Sequence, residues 1–158
     1  MGHKQRGNVY KDNRVKKMKT SIKITSKDGK VLFEHECEDN TILKTLQEAV
    51  RQGVALHYAD LKGTDLSNAN LTDAKLFCAD LSHANLTGTN LYHADLPHVN
   101  LEGANLEYAD LSRANMLNVN LKGANLEYAK LQDTNLYWAD LRGANLTGTC
   151  LYSTKLTD

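Results

Sequence analysis

From Ala59 onward the chain repeats itself every five residues, and that period decides what it can fold into. Twenty strides fill residues 59 to 158 in unbroken phase, from Ala59-Asp60-Leu61-Lys62-Gly63 to Thr154-Lys155-Leu156-Thr157-Asp158. The third place is Leu in 19 of the 20, with Met116 the exception; the first place is Ala in 13, Thr in 5 and Val in 2. The second place is Asn in 10 and Asp in 6. Val54-Ala55-Leu56-His57-Tyr58 reads as a degenerate opening stride. A straight helix turns roughly 140° between residues five apart and would spread the leucines around its circumference. A flat strand would alternate them between its two faces. A coil that turns a corner every five residues buries them all, because four strides close a square and bring the chain back above its start. Leu at the third place and the small residue at the first then point inward, since a larger first residue would overpack so narrow an interior.

The signature A-(D/N)-L-x-x, as in Ala69-Asn70-Leu71, Ala84-Asn85-Leu86 and Ala124-Asn125-Leu126, resembles that of the pentapeptide-repeat family. The resemblance implies an all-β solenoid, a right-handed quadrilateral β-helix. Twenty strides make five coils, a rod roughly 24 Å long at a strand spacing of about 4.8 Å. The ladder Leu61, Leu81, Leu101, Leu121, Leu141 is expected to form one line of its core.

Residues 20–53 differ in texture from the rod of residues 54–158. Ser21-Ile22-Lys23-Ile24-Thr25 alternates, Lys27-Asp28-Gly29-Lys30 carries a turn signal and Val31-Leu32-Phe33 resumes, which predicts a β-hairpin. Asp39 or Asn40 is expected to cap a helix whose apolar stripe is Ile42, Leu43, Leu46, Ala49 and Val50, with Gly53 as its stop. Hairpin and helix are expected to form a lid over the first coil. Residues 1–19 read as a basic flexible tail, with Met18 an alternative start; residues 1–30 hold 10 Lys/Arg against 2 Asp/Glu.

The whole chain balances 19 Lys+Arg against 19 Asp+Glu, which argues against a whole-molecule electrostatic binder of nucleic acid and against a strongly acidic DNA mimic. No apolar run approaches the ~18 residues of a membrane span, no apolar leader follows the basic start, and Cys37, Cys78 and Cys150 are odd in number and widely spaced. A cytoplasmic location is the expectation. The basic arm can contact phosphates, but no groove combining aromatic and basic residues accompanies it, so nucleic acid is not the expected partner.

Residues 20 apart stack on one wall, so the outward places can be read as rows. Phe77, Pro97, Leu117 and Tyr137, with Trp138 beside them, form the most apolar exterior row and the candidate interface. Asp73, His93, Arg113 and Asp133 form a row of alternating charge, and Tyr108 is expected to stack on Tyr128. No HExxH, paired CxxC, Walker or GxSxG motif occurs, and no nucleophile has a paired base, so no catalytic, cofactor or metal residue is assigned. The Asn/Asp of the second place is assigned to corners, as turn residues.

A non-catalytic interaction module presenting flat faces to a protein partner is therefore the first expectation. The family resemblance implies an alternative, since some members imitate duplex DNA and modulate DNA gyrase or topoisomerase IV. Against it, the region from residue 54 carries only 12 Asp/Glu over 7 Lys/Arg, and no insertion breaks the phase. A homodimer is expected, tail-to-tail through an uncovered last coil or side-by-side through Phe77, Leu117, Tyr137 and Trp138.

Overall fold

The computed structural model describes residues 19–156, so nearly all of the basic tail and the last two residues lie outside it. β1 (Lys19–Thr25) and β2 (Val31–Glu38) form an antiparallel hairpin whose register pairs Lys19 with Glu38 and Ile24 with Phe33. The turn between them closes through Ser26 N donating to Lys30 O at 2.9 Å, with Gly29 at φ 83° where a left-handed residue is required.

α1 (Ile42–Arg51) follows, and its N-cap is Thr41, whose hydroxyl accepts from Lys44 N at 3.1 Å. Neither Asp39 nor Asn40 is the cap. Asp39 takes a left-handed conformation at φ 49°, and Asn40 is spent on joining elements. Asn40 Nδ2 donates to His35 O at 2.7 Å and to Thr20 O at 3.1 Å, while its Oδ1 accepts from Thr45 Oγ1 at 3.2 Å. Leu46 and Ala49 are buried, with Ile42, Leu43 and Val50 packed partly against the same core. Gly53, at φ 68°, ends the helix by donating to Val50 O at 2.8 Å.

From Ala55 the chain winds as a right-handed quadrilateral β-helix of 20 residues per coil. Second-place residues bridge in parallel to the residue 20 further on, from Ala55 with Lys75 to Lys130 with Cys150. The last such pairing lengthens into two short strands, β3 (Asn135–Leu136) and β4 (Lys155–Leu156). A stride with a coil on either side sends three backbone bonds to its neighbours, as in Asp80 N to Ala59 O at 2.9 Å, Leu81 N to Asn100 O at 2.8 Å and His83 N to Glu102 O at 2.9 Å.

Every corner is the same turn. The first-place N–H of the next stride donates to the carbonyl of the third-place residue at 2.9–3.3 Å, and the fifth-place residue between them has positive φ at all twenty corners from Tyr58 to Ser153. One left-handed residue, at the third position of the turn only, defines type II geometry. Only six of those corners carry glycine; His83, Tyr108, Arg113 and Trp138 are among the others. The second-place Asx residues satisfy local backbone groups, as expected, but the left-handed turn conformation belongs to the fifth place instead. The Asx residues lie in the bridging rungs and brace the turn from outside it: Asp65 Oδ1 accepts from Ser67 N at 3.1 Å, and Asn100 Oδ1 from Glu102 N at 3.2 Å. The free amides then stack between coils, Asn120 Nδ2 donating to Asn100 Oδ1 at 2.9 Å and Asn145 Nδ2 to Asn125 Oδ1 at 3.0 Å.

The inside holds the leucines and the small residues, as a five-residue square requires. Leu56 to Leu136 are buried at every third place, continuous with Ile24, Leu46 and Ala49 of the hairpin and helix. Threonine fits a first place because its hydroxyl finds a carbonyl: Thr89 Oγ1 donates to Leu66 O and Thr134 Oγ1 to Leu111 O, each at 2.8 Å. In the ladder Leu61, Leu81, Leu101, Leu121, Leu141, the first four are buried and Leu141 is half-buried. Among the described residues no coil lies beyond the last one, and Leu151 and Leu156 there are 41% and 46% exposed. At the opposite end β1 continues onto the first coil, Ser26 bridging Ala59 in antiparallel sense and Asp60 N donating to Thr25 O at 2.8 Å.

Candidate interaction surface

The wall whose strides begin at Val54, Ala74, Ala94, Ala114 and Thr134 carries the apolar row singled out in the sequence. Coil geometry places Phe77, Pro97, Leu117 and Tyr137 one above another, with Trp138 at the adjoining corner, because residues 20 apart are rungs of one sheet. Their exposures differ. Tyr137 and Trp138 are 42% and 69% exposed, Phe77 and Leu117 half-buried, and Pro97 buried. Pro97 is thus removed from the set of exposed contact residues. Its short ring lies between the longer side chains of the rungs on either side, and its locked φ suits the second position of the type II turn it occupies.

Three rings outside the candidate set, His57, Tyr58 and His98, complete the wall. Phe77 packs edge-on against His57 and Tyr58, each with centroids 5.8 Å away, and against His98 at 5.6 Å. The signal lay in the opening stride: His57 and Tyr58 precede Phe77 and Cys78 by 20 positions, yet the ladders began at Phe77. His98 Nδ1 accepts from Asn118 Nδ2 at 2.8 Å. A cleft of roughly 630 Å³ opens beside this cluster, between His57 and Tyr58 on one side and Lys27, Lys30 and Leu32 of the hairpin on the other.

The other walls pair their charges internally. His93 Nδ1 lies 2.7 Å from Asp73 Oδ1, Arg113 Nε lies 3.9 Å from Asp133 Oδ2, and the Arg113 guanidinium sits 5.8 Å over the Tyr92 ring. Tyr108 and Tyr128 stack with centroids 5.3 Å apart and planes 9° from parallel. Arg142 forks onto Asp140 and holds its carboxyl down to about 2, and Arg51 with Gln52 does the same to Glu48. For Asp80 and Asp110 burial works to raise the pKa, but hydrogen bonds from Ser82 and Ser112, and the charges of Lys27 and Lys130, outweigh it and the net shift is downward. Among the described residues no three His, Cys, Asp or Glu side chains converge as metal ligands, and no helix is long and apolar enough to cross a membrane. The geometry can exclude water and hold apolar side chains.

This is a β-helical solenoid, a repeat protein of parallel rungs with a cluster of packed rings on one wall. The pentapeptide-repeat family model matches residues 55–91, 84–123 and 120–158, and the chain belongs to that family. Among solved structures it is similar to HetL, a pentapeptide-repeat protein involved in heterocyst differentiation regulation in the cyanobacterium Nostoc sp. strain PCC 7120. The two share 34% identity over 66% of this chain and 54% of that one, with a TM-score of 0.51. It is also similar to Rfr23 from the cyanobacterium Cyanothece 51142, at 39% identity over 60% of each chain and a TM-score of 0.46. The chain spans little more than half the length of HetL and about three-fifths of Rfr23. No curated protein matches it.

Proposed function

We propose that this protein is a non-catalytic interaction module whose docking surface is the wall of His57, Tyr58, Phe77, His98, Leu117, Tyr137 and Trp138. The observation that carries this is the cluster of rings on one wall, His57, Tyr58 and His98 packed around Phe77 with Tyr137 and Trp138 further along it, of which Tyr58 is 53% and Trp138 69% exposed, while charges elsewhere are largely matched in pairs. Rigid parallel rungs hold those rings at fixed spacing, so little ordering entropy is lost when a partner settles on them. The role fits the general use of solenoids, which present a stiff repetitive surface.

Capture experiments with the full chain test it when wall variants are compared with a variant of another wall. Proteins retained by the wild type and by Tyr108→Asn, but lost with Tyr58→Asn and with Trp138→Asn, are the expected result. Retention that ignores all three substitutions removes the reading.

A second reading, modulation of a type II topoisomerase by a DNA-like rod, rests on family membership, since the rod is only mildly acidic, with 12 carboxylates over 7 cations from residue 54 onward. Titration into a gyrase supercoiling assay tests it; supercoiling unchanged at a large molar excess rejects it.

A further inference from the structure

Building on the reading of this wall as a docking surface, we propose that its occupant is a proline-rich peptide in the polyproline II conformation, laid along the ridge Tyr58–His98–Trp138. The first reason is that the N–H groups along the ridge, from Tyr58 to Asn118, are already spent on the next coil. Tyr58 N donates to Phe77 O at 2.9 Å, Cys78 N to Pro97 O at 3.0 Å, His98 N to Leu117 O at 2.9 Å and Asn118 N to Tyr137 O at 2.8 Å. An incoming β-strand needs main-chain donors as well as acceptors, and at these four positions the donors are taken. A peptide held here by side chains alone must leave its own amides to water. Proline, which has no N–H, loses least in that position.

Spacing supplies the second reason. Aromatic rings occupy alternate rungs of the ridge, with Cys78 and Asn118 between Tyr58, His98 and Trp138. Two rungs span ~9.6 Å at the usual strand separation. A polyproline II helix advances ~3.1 Å per residue with three residues per turn, or ~9.3 Å. Successive turns of such a peptide therefore meet successive rings. Half-buried Phe77 stands at 89° to Tyr58 and 77° to His98, an apolar patch between two exposed rings.

The third reason is size. A wall ~24 Å long and at most ~17 Å wide, the full reach of a five-residue stride, offers at most about 400 Å², well short of the ~800 Å² per partner of a stable interface. Two copies laid wall to wall bury too little, whereas a linear peptide matches the ridge in both length and width.

Trp138 is the chain's one tryptophan, so its fluorescence reads occupancy of the ridge. The full chain is titrated with an oligoproline of about nine residues, roughly 28 Å long, and with a glycine-serine peptide of equal length. A saturable change with the oligoproline alone is expected, weakened about three- to tenfold by Tyr58→Asn and by His98→Asn. Asparagine tolerates the positive φ of both positions, 64° and 58°, so the corners survive. Tyr108→Asn, on another wall, leaves the titration unchanged. A flat titration, or an equal response to the glycine-serine peptide, overturns the proposal. Sedimentation run alongside separates the two levels. Self-association abolished by Trp138→Asn replaces the peptide with a second copy and keeps the wall as an interface; a flat titration combined with partner capture indifferent to the wall variants removes both readings.

Discussion

The ring of Tyr128 lies across Gly148, so close that a Cβ added at position 148 would stand 2.5 Å from the ring's Cε1. Tyr108 stacks on the opposite side of the same ring, and the column ends on the glycine. His83 stands in the same relation to Gly103, its Nδ1 2.6 Å from where a Cβ would be. A fifth-place glycine is thus wanted for two separate reasons, a left-handed φ and room for the ring of the coil before.

The two reasons can be measured apart. Gly123 has φ 65° and nothing within 4 Å of an added Cβ, so Gly123→Ala should cost only the left-handed strain, about 1–2 kcal/mol. Gly148→Ala bears the same strain and also displaces Tyr128, adding about 0.5–1.5 kcal/mol for the lost stack. Denaturant midpoints check the difference, and equal losses at the two sites would refute the ring-over-glycine account.

Core leucines should not be equivalent along the rod. Leu101 is fully buried, and Leu101→Ala is expected to cost about 2–5 kcal/mol through lost transfer energy and a cavity. Leu151 is 41% exposed, so its truncation leaves no closed cavity and should cost less than about 1 kcal/mol. Thermal unfolding of the two variants decides the matter.

Thr89 tests the buried hydroxyl. Its Oγ1 donates to Leu66 O at 2.8 Å, and that carbonyl also accepts from Ala69 N at 3.1 Å. Thr89→Val keeps the volume and removes one of the carbonyl's two donors. A loss of about 0.5–1.5 kcal/mol is expected, and an unchanged urea midpoint would show that the bond contributes nothing.

Acid should weaken the fold through its paired carboxylates. Asp140 is held down from 3.8 to about 2 by Arg142, and Glu48 from 4.5 to about 2 by Arg51. A carboxyl whose folded pKa is depressed binds more protons in the unfolded chain, so its contribution is full above about 4.5 and disappears as pH falls towards about 2. The urea midpoint should therefore drop across that window, and Asp140→Asn should flatten part of the slope. Parallel pH profiles for variant and wild type would sink the assignment.

The coil itself could be read from residue spacing because its cause is local and repeats twenty times. A leucine every fifth residue beside a residue as small as Ala59 or Thr89 can be buried together only by a square turn. What escaped was whatever depends on the coil above or below. The corner geometry was assigned to the Asx of the second place because asparagine tolerates turns, whereas the left-handed residue is the next-but-two, whatever its side chain. Propensity is overruled at Arg113 because Asp110, Leu111 and Arg113 each donate an N–H to a neighbouring coil and hold the backbone there. Pro97 looked exposed since its place faces outward; the rungs of Phe77 and Leu117 flank it.

Sequence alone thus determined the period, the inward and outward places, the solenoid and the position of the apolar wall, since each follows from one-dimensional spacing and residue size. Tertiary structure decided which rings meet, that His57, Tyr58 and His98 gather around Phe77, that Asn40 rather than a helix cap ties hairpin to helix, and that Tyr128 needs Gly148. Those contacts join residues about 20 positions apart or elements of different kind, and they depend on side-chain direction, which no spacing along the chain specifies.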